Sequence, residues 1–285
     1  MEIKKVGVIG TGVMGHGIVQ LCAMIGYDTI VCGRSDASLD RAINWIKTAL
    51  EKNVAKGKMS DSDKESVLSR IKTTKVEADL ADCDVIIESI IEDLKIKQDL
   101  FGRLDEICPN AAILATDTAG LPVTKIAEAS KNPERVVGIH LLSPVVQSRA
   151  LELIRPSYCT EEIFNTAKAF CESFGKQVIL ANDTPGFIVN RLLTPFVLDA
   201  VRLLEEGVAT KEDIDLAMKT GTGHPVGPIE LLDLAGLDNY CNLADNLHGA
   251  LKDKKLIVPD SMRQLVKEGH FGRKTGKGFY DWNRK

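Results

Sequence analysis

The stretch VGVIGTGVMGHGI, Val6 to Ile18, constrains this chain more than any other. Its first residues read as a buried strand, Gly10, Gly12 and Gly15 as a tight turn, and Ile18, Val19, Leu21, Cys22 and Ile25 as the apolar face of a helix. In that strand–turn–helix setting glycines let a backbone approach a pyrophosphate, and the helix N-terminus offers unpaired N–H groups and positive potential. The pattern predicts a dinucleotide held at Gly10, Gly12, Val13, Met14 and Gly15.

The rest of the first two-thirds of the chain repeats the alternation. IKKVGVIG, YDTIVCG, CDVIIESI, AAILATD, RVVGIHLL and QVILAND read as buried strands separated by helical patterns, which predicts βαβ units and a mainly parallel sheet. A charged stretch with apolar residues at helical spacing predicts an inserted helical pair near 37–71. At NDTPGFIVNR, Pro185 and Gly186 punctuate the pattern and no further run of strand quality follows. The predicted organisation is therefore an α/β, Rossmann-like, mainly parallel sheet domain over 1–184 and an all-helical domain over 185–285. In the second, a long helix bent at Pro195 carries Phe187, Ile188, Leu192, Phe196, Val197, Val201 and Leu204, and TKEDIDLAM and SMRQLVKEG supply further helices. That much apolar surface predicts pairing with a second copy, a homodimer.

Composition narrows the function classes. Lysines and arginines number 36 against 40 acidic residues, for a net charge of −4, and they are interspersed, so nothing resembles a nucleic-acid-binding stripe. No apolar run approaches the roughly 20 residues of a membrane span, and the glycine turn comes too early for a signal peptide, so no membrane partner and a cytoplasmic location are expected. Seven cysteines without a CxxC pair indicate neither a disulfide framework nor a metal site. The expected partners are small molecules.

The end of the second strand refines the cofactor. An acidic side chain there accepts hydrogen bonds from the adenosine ribose of NAD and repels the 2′-phosphate of NADP. Here the position is Gly33, followed by Arg34 and Ser35, and an arginine grips a phosphate bidentately, which favours NADP. The alternative is that Arg34 is a solvated loop residue and Asp36 takes the ribose of NAD.

Taken in order, GTGVMGHGI, DVIIESIIEDLKIKQDLFGRLD, GIHLLSP, LELIRP, DTPGFIVNRLL, EDIDLAM, HPVGPIELLDLAGLD and GRKTGKGFYDW resemble the 3-hydroxyacyl-CoA dehydrogenase family over nearly the whole chain. The resemblance implies a Rossmann-like domain joined to a helical dimerisation domain. It implies hydride transfer between a nicotinamide and C3 of a hydroxyacyl thioester, coupled to proton movement at the hydroxyl. His140 matches the family's catalytic histidine, Glu152 the glutamate that orients it, and Asn190 the active-site asparagine. Glu92, Lys97 and Lys274 match residues beside the cofactor, and Lys56, with Lys52 one turn away, matches a lysine that meets the CoA phosphates. The serine that accompanies that lysine in some members is Ala49 here. His140 and Glu152 meet only if the segment between them folds back between neighbouring strands. The other histidines, His16, His224, His248 and His270, take structural readings.

The departures cluster where hydride would move. Most members read S-N-T-S-S-L where this chain has T-D-T-A-G-L, Thr116 to Leu121: the substrate-binding serine is Ala119, its neighbour is Gly120, and the asparagine near the nicotinamide is Asp117. H-F-F-N-P becomes His140-Leu141-Leu142-Ser143-Pro144, which puts Ser143 beside the substrate. Three readings stand: an NADP-linked 3-hydroxyacyl thioester dehydrogenase on CoA or a carrier protein, a dehydrogenase of a small non-thioester hydroxy compound, and a weakly active or inactive nucleotide-binding homologue.

Overall fold

The structure, a computed structural model, describes residues 2–283. The chain divides between Asp183 and Thr184 into two compact units, each with its own apolar core.

The N-terminal unit is built on an eight-stranded sheet. In chain order the strands are β1 (Lys5–Ile9), β2 (Asp28–Cys32), β3 (Ile71–Thr74), β4 (Val85–Glu88), β5 (Ile113–Thr116), β6 (Val136–Leu141), β7 (Ala150–Arg155) and β8 (Gln177–Asn182). Their spatial order is β3-β2-β1-β4-β5-β6-β7-β8, parallel throughout except for the antiparallel β6–β7 pair. Helices α1 (Val13–Ile25), α2 (Asp36–Ala55), α3 (Asp61–Ser69), α4 (Leu94–Ile107), α5 (Val123–Ala127) and α6 (Glu161–Glu172) lie in the connections. Central strands such as β4 and β5 are buried along their whole length. Burial on both faces is what makes them read as unbroken apolar runs.

Two strands lie outside the sequence expectation. β3 is a short edge strand, IKTT, with only one apolar residue to mark it. β7, ALELIR, carries a glutamate in mid-run, which breaks the apolar pattern because a carboxylate in a buried strand needs a partner that no local rule supplies. The helical pair forms as α2 and α3, each opened by a reciprocal capping box, Ser35 with Ser38 and Ser60 with Asp63. Ile71, the expected limit of that pair, instead begins β3. The chain reaches β1 with β2 on one side and β4 on the other, and this reversal of strand order opens a crevice at the strands' carboxyl ends.

The C-terminal unit contains α7 (Val189–Glu205), α8 (Lys211–Leu216), α9 (Pro228–Ala235), α10 (Leu237–Leu251) and α11 (Asp260–Lys267). Its only β pairing among the described residues is two isolated bridges, Gly272 with Lys277 and Lys277 with Asp281. α7 runs through Pro195 and buries Thr194, Val197, Leu198, Ala200 and Val201; Phe187 and Ile188 precede the helix rather than opening it. Two buried aspartates organise this unit. Asp215 accepts from the backbone N–H groups of Ile229 and Glu230 at the start of α9 and from the Tyr280 hydroxyl. Asp233 accepts from the N–H groups of Phe279 and Tyr280 and from Trp282 Nε1, at 2.7–2.9 Å. Asp233 thus holds three donors of the GFYDW tail, and Asp215 a fourth. Asp233→Ala leaves three donors without their acceptor and is expected to cost about 3–5 kcal/mol of unfolding free energy. Urea unfolding followed by tryptophan fluorescence measures this, and a loss under about 1 kcal/mol would show that the tail is held by other contacts.

Among the described residues no helix is long and apolar enough to cross a membrane.

Candidate active site

The crevice beside β1 is lined by backbone. Gly10 has φ +122°, and a Cβ there would fall on the carbonyl of Ser89; a Cβ on Gly15 would fall on the carbonyl of Gly10. These contacts hold the turn tightly against the end of β4. A Cβ on Gly12, in contrast, would meet no atom within 4 Å. Gly12 is also the N-cap of α1 and provides no side-chain cap, so the first N–H groups of this 13-residue helix have no acceptor from it. The cradle fits a pyrophosphate, with Val13, Met14 and Gly15 supplying the first turn. His16 turns its Nδ1 to the Gly12 carbonyl at 2.8 Å, and its ring lies 4.7 Å from that of Trp45.

The end of β2, where an acid for a cofactor ribose was expected, has no room for one. A Cβ on Gly33 would lie 2.8 Å from both Leu39 Cδ2 and Thr11 Cγ2, so a larger side chain has no room without displacing them. Ser35, expected at the cofactor, spends its hydroxyl on capping α2 by accepting from Ser38 N–H. Asp36 pairs with Lys75 at 2.8 Å, on the β3 side of β2. Arg34 is exposed, and among the described residues its guanidinium makes no hydrogen bond or ion pair.

The antiparallel register of β6 and β7 places His140 directly opposite Glu152. Nδ1 and Oε2 are 2.6 Å apart, and the two residues are 6% and 0% exposed. With Glu152 as a carboxylate, Nδ1–H donates to Oε2, which fixes the tautomer and orientation of the ring. A twelve-residue separation becomes one cross-strand pair because the only antiparallel step of the sheet occurs here.

Beneath the T-D-T-A-G-L turn lies an ion network that sequence reasoning saw only in part. Glu92 Oε1 accepts from Thr118 Oγ1 at 2.5 Å, from Ala119 N–H at 2.9 Å and from Gly120 N–H at 3.2 Å. Lys97 is 1% exposed, bonded to Glu88 at 2.5 Å and 3.5 Å from Glu92. Glu88, absent from the expected site, also accepts from Thr116 Oγ1 and Ile90 N–H. Its signal was a lone charge closing the apolar run DVIIE, the same signal as Glu152 in LELI. The expected cofactor neighbours Glu92 and Lys97 therefore brace the turn from below. Asp117 accepts from Leu141 N–H at 2.9 Å and from Ser89 Oγ at 3.1 Å. Burial pushes its carboxyl up to about 7, against the opposing pull of His140, the Leu141 and Ser89 hydrogen bonds and Lys97. Ser143 precedes Pro144 in the loop between β6 and β7.

Lys52, inside α2, and Lys56, just past its end, are exposed and unpaired among the described residues. In the C-terminal unit Asn190 is the second residue of α7, and Lys274 pairs with Asp238 at 2.6 Å. The remaining histidines keep local company: His224 lies 5.4 Å from the Phe196 ring, His248 bonds the Asp253 carbonyl and His270 approaches Glu268.

Family comparisons bear on both units. The family model for the NAD-binding domain of 3-hydroxyacyl-CoA dehydrogenase matches residues 5–184, and that for the C-terminal domain matches 186–282. The chain belongs to the 3-hydroxyacyl-CoA dehydrogenase family. A curated 3-hydroxybutyryl-CoA dehydrogenase of Clostridioides difficile is 39% identical over 280 residues, 98% of this chain and all of that one. Among solved structures, FadB2 of M. tuberculosis superposes with a TM-score of 0.96 at 36% identity, covering 99% of both chains. The (S)-3-hydroxybutyryl-CoA dehydrogenase PaaH1 of Ralstonia eutropha gives 0.91 at 34% identity, again over 99% of both. As a 3-hydroxyacyl-CoA dehydrogenase homologue, the protein is an NAD-binding oxidoreductase of the class acting on CH–OH groups.

Proposed function

We propose that the protein is an NADP-preferring 3-hydroxyacyl-CoA dehydrogenase working mainly as a reductase of 3-oxoacyl-CoA thioesters of the 3-hydroxybutyryl-CoA type. The observation that carries this reading is the buried His140–Glu152 pair, held at 2.6 Å by strand register. The bound nicotinamide supplies the hydride that reaches C3 in reduction and accepts it in oxidation. His140 gives its Nε2 proton to the C3 oxygen in reduction and takes the hydroxyl proton in oxidation. Glu152 fixes the tautomer and offsets the charge of the imidazolium. Glu92 and Lys97 keep the turn bearing Ala119 in shape, and Ser143 and Asn190 contact the substrate. Lys52 and Lys56 take the CoA phosphates, and Lys274 assists at the cofactor. The helical unit pairs two copies into a homodimer in the cytoplasm.

Cofactor preference follows from charge. With Gly33 closed to a carboxylate and Asp36 committed to Lys75, no acid stands to repel a 2′-phosphate, and Arg34 is free to bind it. Arg34→Ala is expected to weaken NADPH binding by roughly 10- to 100-fold while changing NADH binding less than threefold, since only the phosphate contact is charge-assisted. Titration read by the fluorescence of Trp45 and Trp282 measures both. Equal losses for the two cofactors, or tighter NADH binding by the unmutated protein, would contradict the assignment and return the ribose to Asp36.

A further inference from the structure

We propose that Asp117 is a positioning residue for His140, tying the end of β6 through the Leu141 N–H and placing a second carboxylate in the field of the imidazole beside Glu152. The inference deepens the proposed function and rests on His140 being its acid–base group.

The geometry is specific. Asp117 follows β5 directly, and its own N–H is bound by the Glu88 carbonyl at 2.8 Å. Oδ1 accepts from the N–H of the residue after His140, and Oδ2 accepts from Ser89, the residue whose carbonyl backs the Gly10 turn. One side chain therefore joins β4, β5 and β6 at the strand ends where the glycine cradle and the dyad lie. An asparagine, which most members carry here, can make the Leu141 bond equally well. It cannot supply the charge.

The charged groups around Asp117 are few. On β6 it lies in the field of His140, which is bonded to Glu152 on β7. From α4 it feels Lys97, but that ammonium is bonded to Glu88 and lies 3.5 Å from Glu92. Glu88 is committed to Lys97, Thr116 and Ile90, and Glu92 to Thr118 and the turn N–H groups. That leaves the His140 ring as the titratable group beside Asp117 that is not already paired with Glu88 or Glu92. The carboxyl, pushed up by burial to about 7, changes charge in the range where an imidazole does. In its charged form the Asp117 carboxylate favours the imidazolium.

The sign follows. Reduction needs the imidazolium as acid, so a charged Asp117 extends activity toward alkaline pH; oxidation needs the neutral ring, so the same charge shortens activity on the acid side. Asp117→Asn keeps the Leu141 hydrogen bond and removes the charge. With saturating NADPH and acetoacetyl-CoA, the alkaline limb of kcat for reduction is expected to move down by about one pH unit, and the acid limb for oxidation to move down with it. The KM for NADPH is expected to stay within about threefold. Ser89→Ala, which removes a donor to the carboxylate and keeps the residue itself, should shift the same limbs in the same direction by less. A purely structural bond to Leu141 would leave both limbs in place in Asp117→Asn, and that result overturns the proposal. The readout that does not need turnover is the NMR titration of the ¹³C-labelled His140 ring, whose midpoint should fall by about one unit in Asp117→Asn. A moved NMR midpoint in a protein inactive on acetoacetyl-CoA would sink the proposed function and leave the Asp117–His140 coupling standing; an unmoved midpoint sinks the coupling whatever the activity.

Discussion

Replacing His140 with alanine is expected to lower kcat for both directions by about 10²- to 10⁴-fold, the range set by removal of a positioned general acid–base group. The loss should fall on kcat and kcat/KM together, because the proton is in flight only in the transition state. The fold should tolerate it, because β6 is held on both sides by β5 and β7. Fluorescence titration of the cofactor in the variant checks this, since the glycine cradle and Arg34 do not involve β6. If His140→Ala keeps more than about a tenth of the activity, the proton comes from elsewhere.

Glu152→Gln is the second large effect. A glutamine amide can donate toward Nδ1 as well as accept, so the ring is no longer confined to the tautomer that leaves Nε2 available in the right state. The charge that offsets the imidazolium is lost at the same time, in a strand where residue 152 is fully buried. The expected loss in kcat is about 10²- to 10⁴-fold, close to that of His140→Ala. The double variant should then be little worse than either single one, because the two side chains act as one device. Additive losses would mean that Glu152 contributes independently of the histidine.

These residues show what kind of information a sequence carries. The glycine cradle was legible because its logic is local: three small residues, a strand before and a helix after, with sterics that do not depend on the rest of the chain. Central strands were legible for the same reason, burial on both faces leaving a continuous apolar signature. β7 was not, since the buried Glu152 finds His140 opposite it on β6, a long-range pairing that local patterning lacks. β3 was missed because an edge strand of four residues needs little apolar content. The dyad was therefore reached through the family resemblance, and the register supplies its physical reason. The ribose end divides similarly. Gly33 and Arg34 could be weighed from charge alone, but the pairing of Asp36 with Lys75 spans 39 residues, and the employment of Ser35 as a helix cap competes with its expected role at the cofactor. Asp117 stood out as a departure in the sequence. That it is buried and bound to both Ser89 and Leu141 required the fold.

The departures have a common direction. An arginine where an acid would repel a 2′-phosphate, and a carboxylate that favours the imidazolium, both suit an enzyme that reduces. The substitutions at Ala119 and Gly120 remove side chains from a turn whose backbone N–H groups are nevertheless held by Glu92. The turn is therefore shaped by its backbone bonds to Glu92 without the two serine side chains.

The most direct test is kcat/KM for reduction of acetoacetyl-CoA by the purified protein, measured side by side with NADPH and NADH at neutral pH. The account predicts turnover with both and a preference for NADPH of roughly tenfold or more, the worth of one charge-assisted phosphate contact. No turnover with either cofactor, or a preference for NADH, would contradict it.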